Sequence, residues 1–300
     1  MVRLALIGSG DCVDRVQALL PRIEGAQITV VVSSAEEMVP DHMSQYDAAI
    51  LLGTATPRDC EMLVTAGKHL LVPLDSSLDS TAIQGLLAQS SQQGICLMVA
   101  GTDRLEPSLE ATQQSLVAGE LGDPGLVRIH RWSTTRDLTL AAHGMSRDLD
   151  LVLNVFQSLP QEVYAVARSV LGDSERDYLQ VHLGFHGGGM AVIDRSGTLP
   201  PGDGYFSFSV IGSAGAAYAD DHLNKQLVYR GEHPAAVGTG SADLGWIAQL
   251  QEFCDAIRQQ RDPVVTGSDW LAVTRVCEAV KHSIDSGEVV TMSAGGTDDC

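Results

Sequence analysis

The run Leu4-Ala-Leu-Ile7-Gly8-Ser9-Gly10-Asp11-Cys12-Val13 decides the fold. Four apolar residues in a row, without alternation, mark a strand covered on both faces. Two glycines then punctuate the chain, and Val13, Val16, Leu19, Leu20 and Ile23 recur at helical spacing. The same unit repeats. Buried strands are expected over 28–32, 48–52, 69–72 and 95–99, with helices over about 58–66 and 80–91 between them. Continuous apolar strands separated by helices form a doubly wound, Rossmann-type parallel sheet.

Beyond Pro107 a helix is expected to about residue 118, closed by Gly119-Glu-Leu-Gly122, and the pattern then changes. Strands are expected over 126–133, 162–170, 178–185, 190–194, 205–211 and 226–229, with Gly187-Gly-Gly189 as a hairpin turn. A helix over 146–156 interrupts them. Two helices end the series, one carrying Trp246, Leu250 and Phe253, the other starting at an N-cap Ser268 and stopping near Gly287. The expected fold class is therefore α/β. A dinucleotide-binding-type domain over 1–120 precedes an α+β domain over 121–300 with a mostly antiparallel, open sheet, and the last helices pack back toward the first domain.

Composition narrows the partners. The chain has 300 residues, 44% of them apolar, and 19 Lys+Arg against 38 Asp+Glu, a formal net charge of −19. Such an acidic chain is not expected to bind nucleic acid or an anionic membrane. No stretch approaches the ~20 apolar residues of a membrane span. No apolar segment with a cleavage site opens the sequence, so a cytoplasmic location is expected. The six cysteines form no CxxC pair, and Cys96, Cys254 and Cys277 sit in apolar or helical patterns, which suits a reducing compartment. His182 and His186 are four apart with no third ligand at suitable spacing, so no metal is expected.

The Gly8-Ser9-Gly10-Asp11-Cys12 turn carries the chemistry. Gly8 permits the tight turn after the strand, and Gly10 lets a pyrophosphate approach the amides at the helix N-terminus. Val13 stands where a third small residue is common, and Asp11 places a carboxylate near the phosphates, so the fingerprint is partial. At the end of the second strand, where an acid often holds the ribose hydroxyls of NAD, the chain reads Val32-Ser33-Ser34. Ser33 is the candidate ribose contact. No arginine follows it in the chain, and NAD and NADP both remain open.

The whole chain resembles the glucose-fructose oxidoreductase / inositol 2-dehydrogenase / MocA family of NAD(P)-dependent oxidoreductases. The resemblance rests on Ala66-Gly-Lys-His-Leu-Leu71, Arg104-Leu-Glu-Pro107, Gly119-Glu-Leu-Gly122, Phe208-Ser-Val-Ile-Gly212-Ser-Ala-Gly215, Gln251-Glu-Phe-Cys-Asp-Ala-Ile-Arg258 and Thr266-Gly-Ser-Asp-Trp-Leu271. It implies a bound NAD or NADP, with Thr54 and Pro73 on the nicotinamide side. It also implies a small polyhydroxy or carbonyl substrate and a homo-oligomer formed through the open sheet face.

The catalytic positions that the resemblance implies are all changed. The lysine of the family's Glu-Lys-Pro falls on Leu74. Its paired aspartate and histidine at the junction helix fall on His143 and Arg147. Leucine and arginine cannot act as bases near neutral pH, whereas a histidine can. His143 is thus either a relocated base or a junction hydrogen-bonder, and Arg147 an anion clamp or a structural cation. Two functions follow: an oxidoreductase with altered catalytic residues, or a silent binder of a nucleotide or sugar-like ligand.

Overall fold

A computed structural model of the chain describes residues 1–38, 40–53, 55–74, 77–100, 103–134, 145–169, 176–200, 204–220, 225–229, 234–238 and 243–292. Its strands are β1 (Val2–Gly8), β2 (Ala26–Val32), β3 (Ala48–Leu52), β4 (His69–Pro73), β5 (Leu97–Ala100), β6 (Pro124–Trp132), β7 (Glu162–Arg168), β8 (Tyr178–Gly184), β9 (Met190–Ser196), β10 (Tyr205–Gly212), β11 (Ala216–Asp220), β12 (Lys225–Tyr229), β13 (Pro234–Gly238) and β14 (Val290–Thr291). The helices are α1 (Asp11–Leu19), α2 (Pro40–Met43), α3 (Pro57–Thr65), α4 (Ser80–Gln93), α5 (Pro107–Val117), α6 (Met145–Phe156), α7 (Asp243–Gln259) and α8 (Gly267–Ser286).

Contacts divide the chain into two compact units that follow space rather than chain order. One joins Met1–Leu105 to Ser241–Thr274, and the other joins Glu106–Gly240 to Arg275–Cys300. Helix α5 therefore belongs to the second unit and α7 to the first.

The first unit is built on a parallel sheet of order β2-β1-β3-β4-β5. Its core sets Val2, Leu4 and Leu6 of β1 against Val13 and Val16 of α1, and against Leu250, Phe253 and Cys254 of α7. Ala5 and Ile7, on the opposite face of β1, are buried as well, so past Arg3 the strand carries no polar alternation. The Ala66-Gly-Lys-His-Leu-Leu71 motif tightens this sheet. Lys68 Nζ donates to the carbonyls of Met43 (2.6 Å) and Tyr46 (2.9 Å) and lies over the Tyr46 ring. His69 Nδ1 accepts from the Cys96 amide at 2.9 Å, so the imidazole is neutral there, and burial holds its pKa low.

The second unit carries a sheet of order β13-β12-β11-β10-β6-β9-β8-β7-β14, in which only the β6–β9 pair is parallel. Alternation gives it two unlike faces. Val127, Ile129, Val181, Ile193, Phe208 and Val210 are buried on one, while Tyr164, Tyr178, Met190, Ile211 and Tyr218 stay 36–55% exposed on the other.

Three strands escaped the sequence reading. β11 is Ala-Ala-Tyr-Ala-Asp, poor in β-formers; β13 starts at a proline and lies at a sheet edge; β14 has two residues. The cap of the last helix is corrected from Ser268 to Thr266. There Thr266 Oγ1 accepts from the Asp269 amide at 3.2 Å, and Asp269 Oδ2 accepts from the Thr266 amide at 2.7 Å. That reciprocal pair satisfies two orphan donors at once. His186 lies in the turn after β8 rather than on the strand with His182.

Candidate functional site

In the parallel sheet the chain reverses direction at β1, since β2 lies on one side of it and β3 on the other. Such a switch point leaves a crevice outside the carboxyl ends of the two strands. Here it is a cleft of about 430 Å³. Ile7, Gly8 and Ser9 form its floor, and Leu51, Leu52 and Gly53 line the β3 side. Ser33, Ser34 and Glu36 come from the end of β2, and Thr56, Arg58 and Asp59 from the start of α3.

Gly8 is fixed by sterics. Its φ is 151°, and a Cβ built on it would lie 2.1 Å from the Leu52 carbonyl oxygen. Gly10, the N-cap of α1 at φ 78°, has nothing within 4 Å of the same position, and neither has Gly53. The turn is closed against the sheet at Gly8 and open toward the cleft beyond it. The first amides of a helix have no intrahelical partner and favour an anion. A pyrophosphate therefore fits at the N-terminus of α1, where Asp11 and Cys12 are exposed.

The cleft wall is organised by two carboxylates. Asp59 closes a capping box, with Oδ2 accepting from the Thr56 hydroxyl (2.7 Å) and amide (3.2 Å). Glu37, in the single turn after β2, takes both donors of Ser33: the amide at 3.0 Å on Oε2, and the hydroxyl on Oε1. The serine hydroxyl, and secondarily its amide, hold the Glu37 carboxyl below its usual range.

Of the sequence candidates, Gly8, Ser9 and Ser33 are brought together on this cleft, with Gly10, Asp11 and Cys12 at the start of α1. Pro73 ends β4, half-buried, and is not among the lining residues. Thr54 and His143 lie outside the described residues. Arg147 is half-buried on α6, in the second unit. Sequence reasoning missed Glu37 and Arg58. The chain has no arginine just after Ser33, but the fold brings Arg58 to the same cleft from the β3–α3 connection. The one available signal was Thr56-Pro-Arg-Asp59, a helix-start pattern that would have placed Arg58 in a first turn.

The position of the expected lysine is now concrete. Leu74 follows β4, is 5% exposed, and donates its amide to the Ala100 carbonyl at 2.9 Å. On α6, Asp148 is fully buried between two arginines that face each other across the β6–β9 pair. Arg131 Nε reaches its Oδ1 at 2.7 Å, and Arg195 Nε lies 3.6 Å from its Oδ2. Arg131 also stacks over the Phe206 ring at 4.2 Å. The thiols of Cys60, Cys96 and Cys254 are pushed up to about 12, 12 and 11 by burial, which makes them inert. No group of three metal-ligating side chains occurs among the described residues.

No protein-family model matches the chain. A stretch of 143 residues is 28% identical to a 4-carboxy-2-hydroxymuconate-6-semialdehyde dehydrogenase of Sphingobium sp.. That match spans 40% of this chain and 44% of the relative, less than half of its length. Solved structures match almost end to end. UDP-N-acetylglucosamine 3-dehydrogenase from Acidithiobacillus ferrooxidans superposes with a TM-score of 0.84 at 19% identity, over 95% of this chain and 98% of that one. GenD2 from gentamicin A biosynthesis, in complex with NAD, gives 0.81 at 19% identity over 98% and 97%. The chain shares its fold with these dehydrogenases, an α/β fold of the class that the sequence resemblance implied.

Proposed function

We propose that the protein is an oxidoreductase that holds a nicotinamide dinucleotide on the β1–α1 turn and acts on a small polyhydroxy or carbonyl compound. The observation that carries this reading is the cleft at the switch point, closed at Gly8 by the Leu52 carbonyl and open beyond Gly10 and Gly53. The shared fold with dehydrogenases, one of them in complex with NAD, supports it. Bound there, the dinucleotide supplies a hydride donor or acceptor. The chain's part is to cradle the phosphates at Gly8, Ser9 and Gly10, to meet the ribose at Ser33, and to provide proton transfer. Leu74 carries no titratable proton and an arginine stays protonated, so of the residues that fall on the family's catalytic positions His143 is the candidate proton carrier and Arg147 the candidate contact to a substrate oxygen.

The buried Leu74 favours a second reading, a binder without turnover. One titration series tests both. Adding NADH should quench protein fluorescence saturably and raise the melting temperature by mass action. Assays with aldoses, inositols and their keto forms then separate turnover from silent binding. No response to NADH or NADPH at millimolar concentration would sink the first reading and weaken the second, leaving it a sugar-like ligand.

We further propose that the open face of the nine-stranded sheet is covered by a second copy of the chain. Strands about 4.8 Å apart and some seven residues long give a face of roughly 900 Å², against about 800 Å² per partner in a stable interface. Its exposed Tyr164, Tyr178, Met190, Ile211 and Tyr218 supply large apolar and aromatic groups, and exposed Arg128, Glu162 and Arg168 on the same face supply charges of both signs that can pair between two copies. Sedimentation velocity at micromolar concentration should read about twice the 31.8 kDa chain mass; a monomer would refute it.

A further inference from the structure

The dinucleotide cleft has a wall whose hydrogen bonding is already directed, and this bears on which dinucleotide it accepts. A 2′-phosphate on the adenosine ribose needs donors and positive charge, whereas free 2′- and 3′-hydroxyls need acceptors. Ser33, at the end of β2, is the residue placed to meet that ribose, and both of its donors are committed. Its amide donates to Glu37 Oε2 at 3.0 Å and its hydroxyl to Glu37 Oε1. Lone pairs on the serine hydroxyl and on the carboxylate are what remain for a ligand. Glu37 itself stands behind Ser33, and Glu36, from the same turn, puts a carboxylate on the lining. Asp59 adds a second, fixed by Thr56. Arg58 is the cation among the described lining residues.

We infer that Glu37, acting through Ser33, makes the cleft selective for NAD(H) over NADP(H). The inference rests on the proposed dinucleotide site and deepens it. The carboxylate that NAD sites often carry at the end of the second strand is supplied here four residues later, folded back by one turn. Glu37 is a specificity residue that acts from behind the lining: it turns Ser33 into an acceptor and adds its negative charge to that of Glu36 on this side of the cleft. Arg58, reaching the cleft from the far side of β3, is then free to contact the adenine or the shared phosphates. Both dinucleotides carry those groups, so its loss weakens both alike.

The test measures dissociation constants of NADH and NADPH by fluorescence, on the full chain and on Glu37→Gln and Arg58→Ala. The wild type should bind NADH at least about tenfold more tightly than NADPH, as expected when charge-assisted bonds are exchanged for like-charge contact. Glu37→Gln leaves Ser33 one acceptor and presents an amide donor, and it should cut that ratio about tenfold, mainly by tightening NADPH. Arg58→Ala should weaken both ligands by a similar factor. Equal or tighter NADPH binding by the wild type overturns the inference. So does a ratio unchanged in Glu37→Gln, or an Arg58→Ala loss confined to NADPH, which would make Arg58 a 2′-phosphate clamp. Binding of neither dinucleotide would instead remove the cofactor site itself, and the inference with it.

Discussion

Replacing Gly8 by alanine should both destabilise the protein and abolish dinucleotide binding. The added methyl would stand 2.1 Å from the Leu52 carbonyl oxygen, and 3.0 Å from that residue's carbonyl carbon and Cβ. Those are atoms of the neighbouring strand, since Gly8 and Leu52 are register partners in the β1–β3 pair. A flexible side chain could move aside, but a paired backbone moves only if the strands part. Overpacking together with the strain of φ 151° in a residue bearing a Cβ costs about 2–6 kcal/mol. The damage falls at the switch point, where the cleft opens. Gly10→Ala is the control: its φ of 78° carries a strain cost, but the methyl meets nothing within 4 Å. Thermal unfolding should show a large drop for Gly8→Ala and a small one for Gly10→Ala, and both variants should lose NADH affinity. Equal melting temperatures for Gly8→Ala and the wild type would contradict the steric account.

The second large effect is expected at Asp148. Its carboxylate, fully buried on α6, bridges Arg131 on β6 and Arg195 on β9, whose side chains are 20% and 5% exposed. The two guanidiniums sit on register-paired residues, so their mutual repulsion is intrinsic to the sheet. Removing one member of a buried ion pair typically costs about 3–5 kcal/mol, because the remaining charge keeps its desolvation cost. Asp148→Ala should therefore lower the urea midpoint sharply, with Asp148→Asn intermediate because an amide oxygen still accepts from Arg131. A change within about 1 kcal/mol for Asp148→Ala, the range of an exposed pair, would show that the network does not hold α6 to the sheet.

The fold was legible where the signal was local and repeated. Leu4–Ile7 and 48–52 are uninterrupted apolar runs, and an uninterrupted run has few readings other than a doubly covered strand. The helix over 146–156 showed as plainly, with Leu149, Val152, Leu153 and Phe156 at helical spacing. β11 was lost because Ala217 and Ala219 are buried without being large, so composition gave no warning.

The site divided along the same line. Gly8 and Gly10 are punctuation and can be read from the chain. Glu37 and Arg58 act by reach. Glu37 looks like any surface glutamate until the turn brings it back to Ser33, and Arg58 enters the cleft because β1 and β3 are neighbours in space. The lysine and histidine motif residues show the converse. Lys68 and His69 were family markers in the chain, and in the fold they satisfy backbone carbonyls and an amide of the sheet. Leu74 shows that the absent lysine is replaced by packing, since the side chain there is buried rather than turned to the cleft.

The core of the first unit also sets the order in which the molecule can be completed. Strand β1 begins at Val2, and the helix whose Leu250, Phe253 and Cys254 close over it begins at Asp243. During synthesis, the segments of the second unit up to Gly240 are made between these two halves of one hydrophobic surface. One face of the nascent parallel sheet, covered by α1 alone, therefore stays partly in water while the antiparallel sheet is assembled. Contacts so distant in sequence are slow to form, and exposed apolar sheet is what chaperones recognise. A cut near residue 105 or 120 would thus isolate a sheet that has lost the α7 half of the cover on one side.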